Sequence, residues 1–290
     1  MKKYFKIFAL ILCFVSFAAM ALGSTSSDGD KKDVVDSSKE ETVKNSIDEQ
    51  LLFDKDGIKV TALEYVEDSI WGDGIKLLME NNTDKTVMVS CNALIVNNYM
   101  ISDLFASEVA PGKKSNDTLY LSSSELEASG IESVGQVEIY FHVYDSETYD
   151  TIFDVDCVTI KTTEFANMDT TPTDSGTELY NEGNIKIVGK TVDENSFWGT
   201  AILLYCENSS GRNICISVEE MSINGFMMSP LFISTVYDGK MAIDDITVFS
   251  SELEENGITS IEEVELKFHI YDADTYDTII DTDAISFTVE

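Results

Sequence analysis

Basic residues are scarce in this chain: 19 Lys and Arg stand against 53 Asp and Glu, a formal net charge of −34. Nucleic acid and anionic lipid are bound through Lys and Arg, so neither is expected as a partner. The same imbalance favours solubility and cationic partners, metal ions included. Histidine is scarcer still, with His142 and His269 the whole supply. Two isolated histidines with no matching cysteine spacing speak against a zinc site. Apolar runs are short. The longest, residues 7–22, falls below the roughly 20 residues of a stable membrane span. Cys13 lies in that run, which leaves Cys91, Cys157, Cys206 and Cys215.

What the chain does have is a copy of itself. From Ile58 to Thr288 a shift of 127 positions lays the sequence on itself without a gap. Trp71-Gly72 falls on Trp198-Gly199, Glu80-Asn81 on Glu207-Asn208, and Gly130-Ile131 on Gly257-Ile258. Phe141-His142 falls on Phe268-His269, and Tyr149-Asp150-Thr151-Ile152 on Tyr276-Asp277-Thr278-Ile279. A solenoid unit runs roughly 20–50 residues, so this period is the size of a domain. The cysteines do not follow the repeat. Cys91 and Cys157 align with Val218 and Ala284, and Cys206 and Cys215 with Met79 and Met88. They read as small buried hydrophobes rather than a disulfide framework.

The N-terminus, Met1-Lys2-Lys3-Tyr4-Phe5-Lys6 followed by apolar residues and Ala19-Met20-Ala21, reads as a secretory signal over residues 1–23. Its removal leaves 16 basic residues and a charge of about −37. Residues 24–50 are polar and predict a disordered acidic stalk. Residues 51–163 and 179–290 are the two repeats, each long enough for its own core. Residues 164–178, with Thr170-Thr171-Pro172-Thr173, are the linker between them. The expected location is secreted, or on the extracellular face of the cell envelope.

Period two dominates each repeat. Val137, Ile139, Phe141 and Val143 alternate with Glu138, Tyr140, His142 and Tyr144; Val264, Leu266, Phe268 and Ile270 alternate with Glu265, Lys267, His269 and Tyr271. Such runs predict half-buried strands. Asn97-Asn98, Asn224-Gly225, Pro111-Gly112 and Asp238-Gly239 separate them as turns. Ser124-x-x-Glu127 and Ser251-x-x-Glu254 read as capping boxes of one helical turn, ended by Gly130 and Gly257. The prediction is all-β: two tandem immunoglobulin-like β-sandwiches, each of about seven strands and one short helical turn. Asn208-Ser209-Ser210-Gly211-Arg212 reads as a hairpin turn. The apolar faces then pair Leu204 with Ile216 and Cys206 with Ile214, turn Cys215 outward and leave Cys206 and Cys215 unbonded.

Trp71 to Asn81, Val109-Ala110-Pro111-Gly112-Lys113 and the closing run from His142 to Asp154 carry a resemblance. The chain resembles uncharacterised immunoglobulin-like domains of secreted proteins and lipoproteins in Gram-positive bacteria. The resemblance covers both repeats. It implies a cell-envelope β-sandwich and brings no activity or site with it.

Two constellations stand out. Acids cluster at one end of each repeat: Asp145, Asp150, Asp154 and Asp156, then Asp272, Asp277, Asp281 and Asp283. Asp-x-Asp spacing in a strand-connecting loop can supply several of the six to eight oxygens that Ca²⁺ takes, although the EF-hand spacing and its glycine are missing. Ca²⁺ is the one cofactor this spacing admits; otherwise none is expected. The second constellation is an outward strip of Tyr140, His142 and Tyr144, matched by Lys267, His269 and Tyr271. Exposed tyrosine is favoured at interfaces. Trp71 and Trp198 each open a strand and read as plugs at the end of a core. Catalysis is not expected. His142 has Asp145 and Cys157 in the same repeat, yet Cys157 becomes Ala284 while the histidine stays. The expected function is a non-catalytic binding or spacer protein of the cell envelope, with an unknown protein or envelope component as partner. A Ca²⁺-dependent adhesin is the first alternative and a secreted hydrolase the second.

Overall fold

Val137, Ile139, Phe141 and Val143 are fully buried, and so are Val264, Leu266 and Ile270. The residues between them are half-buried or exposed, so period two becomes strand with one face inward. The computed structural model describes residues 44–68, 72–196 and 199–288. The expected signal, residues 24–43 of the expected stalk, Trp71 and Trp198 lie outside the described residues.

In the first repeat the chain forms β1 (Gln50–Lys55), β2 (Ile58–Asp68), β3 (Gly72–Asn81), β4 (Val87–Val96), β5 (Tyr99–Ile101), β6 (Ala106–Val109) and β7 (Lys114–Tyr120). Helix α1 (Ser123–Ala128) leads into β8 (Gln136–Asp145), β9 (Thr151–Asp154) and β10 (Val158–Lys161). The second repeat follows the same order. It has β11 (Thr177–Glu182), β12 (Ile185–Ser196), β13 (Gly199–Asn208), β14 (Ile214–Ile223), β15 (Phe226–Met227), β16 (Ile233–Val236) and β17 (Lys240–Phe249). Helix α2 (Ser250–Glu255), β18 (Glu263–Asp272), β19 (Thr278–Asp281) and β20 (Ile285–Thr288) complete it. Each repeat thus has ten strands among the described residues where about seven are expected. The surplus is short edge pieces such as β5, β6, β9 and β10, too brief to alternate visibly.

The protein is predominantly β, in several antiparallel sheets. One sheet runs β1-β2-β3-β7. A second runs β10-β8-β4-β5-β17-β13-β12-β11, with β6 on β4 and β9 on β8. A third runs β15-β14-β18-β19, with β16 on β14 and β20 on β18. Ile75 and Leu77 of β3 share a core with Val87 of β4 and Phe141 of β8, so in each repeat two sheets face one another. Every named pairing is antiparallel except one: β5 of the first repeat lies parallel to β17 of the second, Tyr99 opposite Met241 and Met100 opposite Ala242. That pairing makes the second sheet continuous through both repeats. Lys44–Glu290 is one compact unit, and Val188, Tyr205, Met241 and Ile243 of the second repeat belong to the core cluster of the first.

Three local expectations are corrected. The stretch Asn208 to Arg212 is not a hairpin turn. β13 pairs with β12 and β17, while β14 pairs with β15, β16 and β18, so the chain crosses between facing sheets there. Cys206 and Ile214 share a core without being strand partners, and all four described cysteines are free. The buried Asn208 carries the crossing: its Nδ2 donates to the carbonyls of Arg212 and Val236, both at 2.8 Å, and its Oδ1 accepts the N–H of Ser210 at 3.0 Å. Asn81 does the same in the first repeat with Lys85, Val109 and Thr83. Next, Ser124 and Ser251 do not cap the helices. They lie inside α1 and α2, whose N-caps are Ser122 and Phe249 without a side-chain bond. The stops are as expected, since Gly130 (φ +72°) and Gly257 (φ +69°) take the left-handed turn that ends each helix. Finally, the ends of the polar segments are bound. Asn45 Nδ2 donates to the Val134 carbonyl at 2.9 Å, Thr173 lies 3.0 Å from the Tyr99 hydroxyl, and β11 begins inside the expected linker.

Candidate functional site

The hairpin between β8 and β9 is built on Asp145. Its N–H donates to the Asp150 carbonyl at 3.0 Å, and its carbonyl accepts the N–H of Tyr149 at 2.9 Å. Its Oδ1 accepts the N–H groups of Glu147 and Thr148 at 3.0 and 3.1 Å, while Lys85 Nζ sits 2.9 Å from Oδ2. The lysine and these two N–H groups hold the carboxyl down to about 2. The hairpin between β18 and β19 repeats the construction on Asp272, with Asp274, Thr275, Tyr276 and Asp277 in the same places. Backbone N–H groups, Thr275 first, lower its carboxyl, and Arg212 adds to the effect from 3.6 Å.

This turn ends on a residue in the left-handed region, and in both repeats that residue is tyrosine: Tyr149 at φ +61° and Tyr276 at φ +62°. The position suits Gly or Asn; a bulky side chain there costs about 1–2 kcal/mol. Burial does not compensate, because Tyr149 is 76% exposed and Tyr276 71%. Each ring instead continues the outward row of the preceding strand. Tyr149 stacks on Tyr144 with centroids 6.3 Å apart, and Tyr144 lies 5.2 Å from the His142 ring. In the second repeat Tyr276, Tyr271 and His269 give 6.4 and 5.2 Å, at the same interplanar angles of 25° and 30°. Burial pushes the Tyr144 and Tyr271 hydroxyls up from the ordinary phenol value. Each histidine Nδ1 meets a carboxylate of the next strand: Asp154 at 2.7 Å and Asp281 at 2.6 Å.

Of the six expected strip residues, the structure brings His142 and Tyr144, and His269 and Tyr271, into these two ladders. Tyr140 turns to the other repeat and meets Tyr237 edge-on, centroids 4.9 Å apart. Lys267 forms an ion pair with Glu220. Tyr149 and Tyr276 complete the ladders and are not among the expected residues, although the repeated Tyr-Asp-Thr-Ile motif contains them.

The expected metal ligands lie at the same ends of the repeats but do not converge. Among the described residues no group of three or more His, Cys, Asp or Glu could hold a metal ion. Asp145 and Asp272 face their own turns, Asp154 and Asp281 their histidines, and Asp277 Oδ2 accepts the Thr275 hydroxyl at 3.1 Å. Asp150, Asp156 and Asp283 are exposed.

A second acidic locus lies where the repeats meet. Asp103, Glu125 and Asp244 line one hollow with Leu94, Met100 and Ile233. Ser234 Oγ donates to Asp244 Oδ2 at 2.5 Å. Burial pushes the Asp103 and Glu125 carboxyls up and takes Asp244 to about 6, with Glu125 and Asp245 adding repulsion.

No family model matches the sequence, and no curated protein does. Among solved structures, the YadV chaperone overlaps at a TM-score of 0.23 and 10% identity, covering 74% of this chain and 92% of its own. The Salmonella enterica SafA pilin in complex with the SafB chaperone gives 0.22 and 9%, covering 74% and 89%. A Porphyromonas gingivalis protein of unknown function gives 0.22 and 12%, covering 83% and 94%. Overlaps this loose carry no argument about what this chain does.

Proposed function

We propose that the chain is a secreted, cell-envelope-associated, non-catalytic binding protein. In this reading it is made of two tandem immunoglobulin-like sandwiches, and the two His–Tyr–Tyr ladders are its contact surfaces. One observation carries the reading. The same exposed tyrosine holds an unfavourable backbone position in both repeats, in line with the same two rings. Backbone preference alone favours Gly or Asn there, and the stack on Tyr144 or Tyr271 offsets that cost without exceeding it, so the exposed face of the ring is what the reading rests on. Flat ring faces among carboxylates suit a cationic partner segment, since ring faces attract cations and the chain carries a charge of −34.

The test is binding of a decalysine peptide at physiological salt. A Tyr149→Ala/Tyr276→Ala variant keeps every charge, so bulk electrostatics is unchanged. The expected result is a loss of affinity of about tenfold, the worth of one or two cation–ring contacts. Equal affinity in both proteins would remove the ladders from the binding surface.

A further inference from the structure

The two repeats differ in what covers one hairpin. In the first, β4 and β5 join through Asn97-Asn98, and β5 adds in parallel to the edge of β17. Tyr99 is then only 2% exposed. The N–H of Met241 donates to the Asn98 carbonyl at 3.0 Å, and Lys240 forms an ion pair with Glu138. In the second repeat the matching hairpin joins β14 to β15 through Asn224-Gly225. Phe226 and Met227 take the places of Tyr99 and Met100, and they are 47% and 64% exposed. The surface that the first repeat spends on the second is left open on the second.

The opposite end of the chain has the matching edge. β7 is the first repeat's equivalent of β17, and among the described residues it pairs only with β3. Its outer edge is where the β5 hairpin lies in the second repeat. The ion pair is also kept in kind. Lys113 stands where Lys240 stands, and Glu265 where Glu138 stands. Both are exposed, on opposite partners of the contact.

We propose that a second copy of this chain covers the open hairpin. The β14–β15 hairpin of one copy adds in parallel to the β7 edge of the next, with Phe226 and Met227 beside Lys114 and Ser115 and Lys113 paired to Glu265. The contact is heterologous: the surface given differs from the surface received. A heterologous contact either closes into a ring or runs on, and the open row is the arrangement proposed, not a closed dimer. It is weaker than the contact inside the chain. Met241 and Ile243 become Lys114 and Asn116 in the receiving edge, and no tether raises the local concentration. Association at about 100 µM is expected.

Sedimentation velocity on the chain without residues 1–23, from about 1 µM to 1 mM at physiological salt, tests this. The expected result is a mean mass that keeps rising with concentration past two copies. Phe226→Asp with Met227→Asp returns the monomer; both side chains are exposed, so the fold is expected to persist, and a circular dichroism melt checks it. Lys113→Glu weakens association at least tenfold, and adding Glu265→Lys restores it. A monomer throughout the range overturns the proposal. So does growth that stops at two copies, and so does association indifferent to Lys113→Glu, since the hairpin would then meet some other surface.

Discussion

Glu138 and Lys240 form an ion pair across the two repeats, 102 residues apart in the chain, with side chains only 14% and 15% exposed. Removing one partner leaves the other desolvated and alone, which costs more than the pair contributes. Lys240→Met is expected to destabilise the chain by about 2–3 kcal/mol. Lys240→Met with Glu138→Gln should recover most of that loss. Urea unfolding of the two variants measures both, and an equal loss in both would show that packing rather than charge carries the effect.

The repeats also share apolar surface. Val188, Tyr205, Met241 and Ile243 are buried against the first repeat, each worth about 1.5–3 kcal/mol when fully covered. Proteolytic cleavage within residues 164–176 is therefore expected to leave two fragments that co-elute in gel filtration. Separated in denaturant, each is expected to refold alone with a cooperative melt, as the ungapped repeat implies. Fragments that part without denaturant would mean that the tether, not the shared core, keeps the repeats together.

Two carboxylates give opposite dependences on pH. Asp145 is held at about 2 in the folded chain, against about 3.9 unfolded. Its contribution is full above about pH 4 and is lost as the pH falls toward 2. Asp244 sits at about 6 when folded, so its contribution is full below about pH 4 and is lost as the pH rises through 6. Asp244→Asn is expected to flatten the second limb and raise stability at pH 7 by up to about 3 kcal/mol. Melting curves from pH 4 to 8 read this directly; an unchanged profile would remove Asp244 as its source.

Tyr149 and Tyr276 allow a test of stability against binding. Tyr149→Asn with Tyr276→Asn relieves the left-handed backbone and loses two exposed ring contacts, effects of similar size and opposite sign. The net change in stability is expected to stay within about 1 kcal/mol. A larger loss would make the rings structural.

Millimolar Ca²⁺ is expected to leave the melting temperature in place, because the carboxylates of both hairpins face their own turns and histidines. A saturable rise, abolished in the second repeat by Asp277→Asn with Asp281→Asn, would restore the Ca²⁺-dependent adhesin reading.

The repeat and its strands are legible in the residues, because alternation reports which face is buried. Alternation does not report which sheet a strand joins. That is why Cys206 and Ile214 read as neighbours across a turn when the chain in fact crosses between sheets. Two of the three rings in each ladder are legible, since His142, Tyr144, His269 and Tyr271 share the outward row. Tyr149 and Tyr276 escape because nothing in a tyrosine announces a left-handed backbone, and the acids around them suggest a metal instead. The junction was readable only by comparing the copies. Met241 and Ile243 stand where the first repeat has Lys114 and Asn116. Such polar-to-apolar differences mark a face that one copy covers and the other does not.

The parallel pairing of β5 with β17 has a consequence for the order of folding. Tyr99 and Met241 are 142 positions apart, so their contact waits on a long loop closure. During synthesis the first repeat can complete its own sheets before β17 leaves the ribosome. Until then Tyr99 and Met100 stand in water, and the nascent chain presents the same apolar hairpin tip that Phe226 and Met227 present in the finished one. Docking of the second repeat is expected to be the later step, and a chain interrupted before residue 240 is expected to leave that hairpin tip without its partner strand.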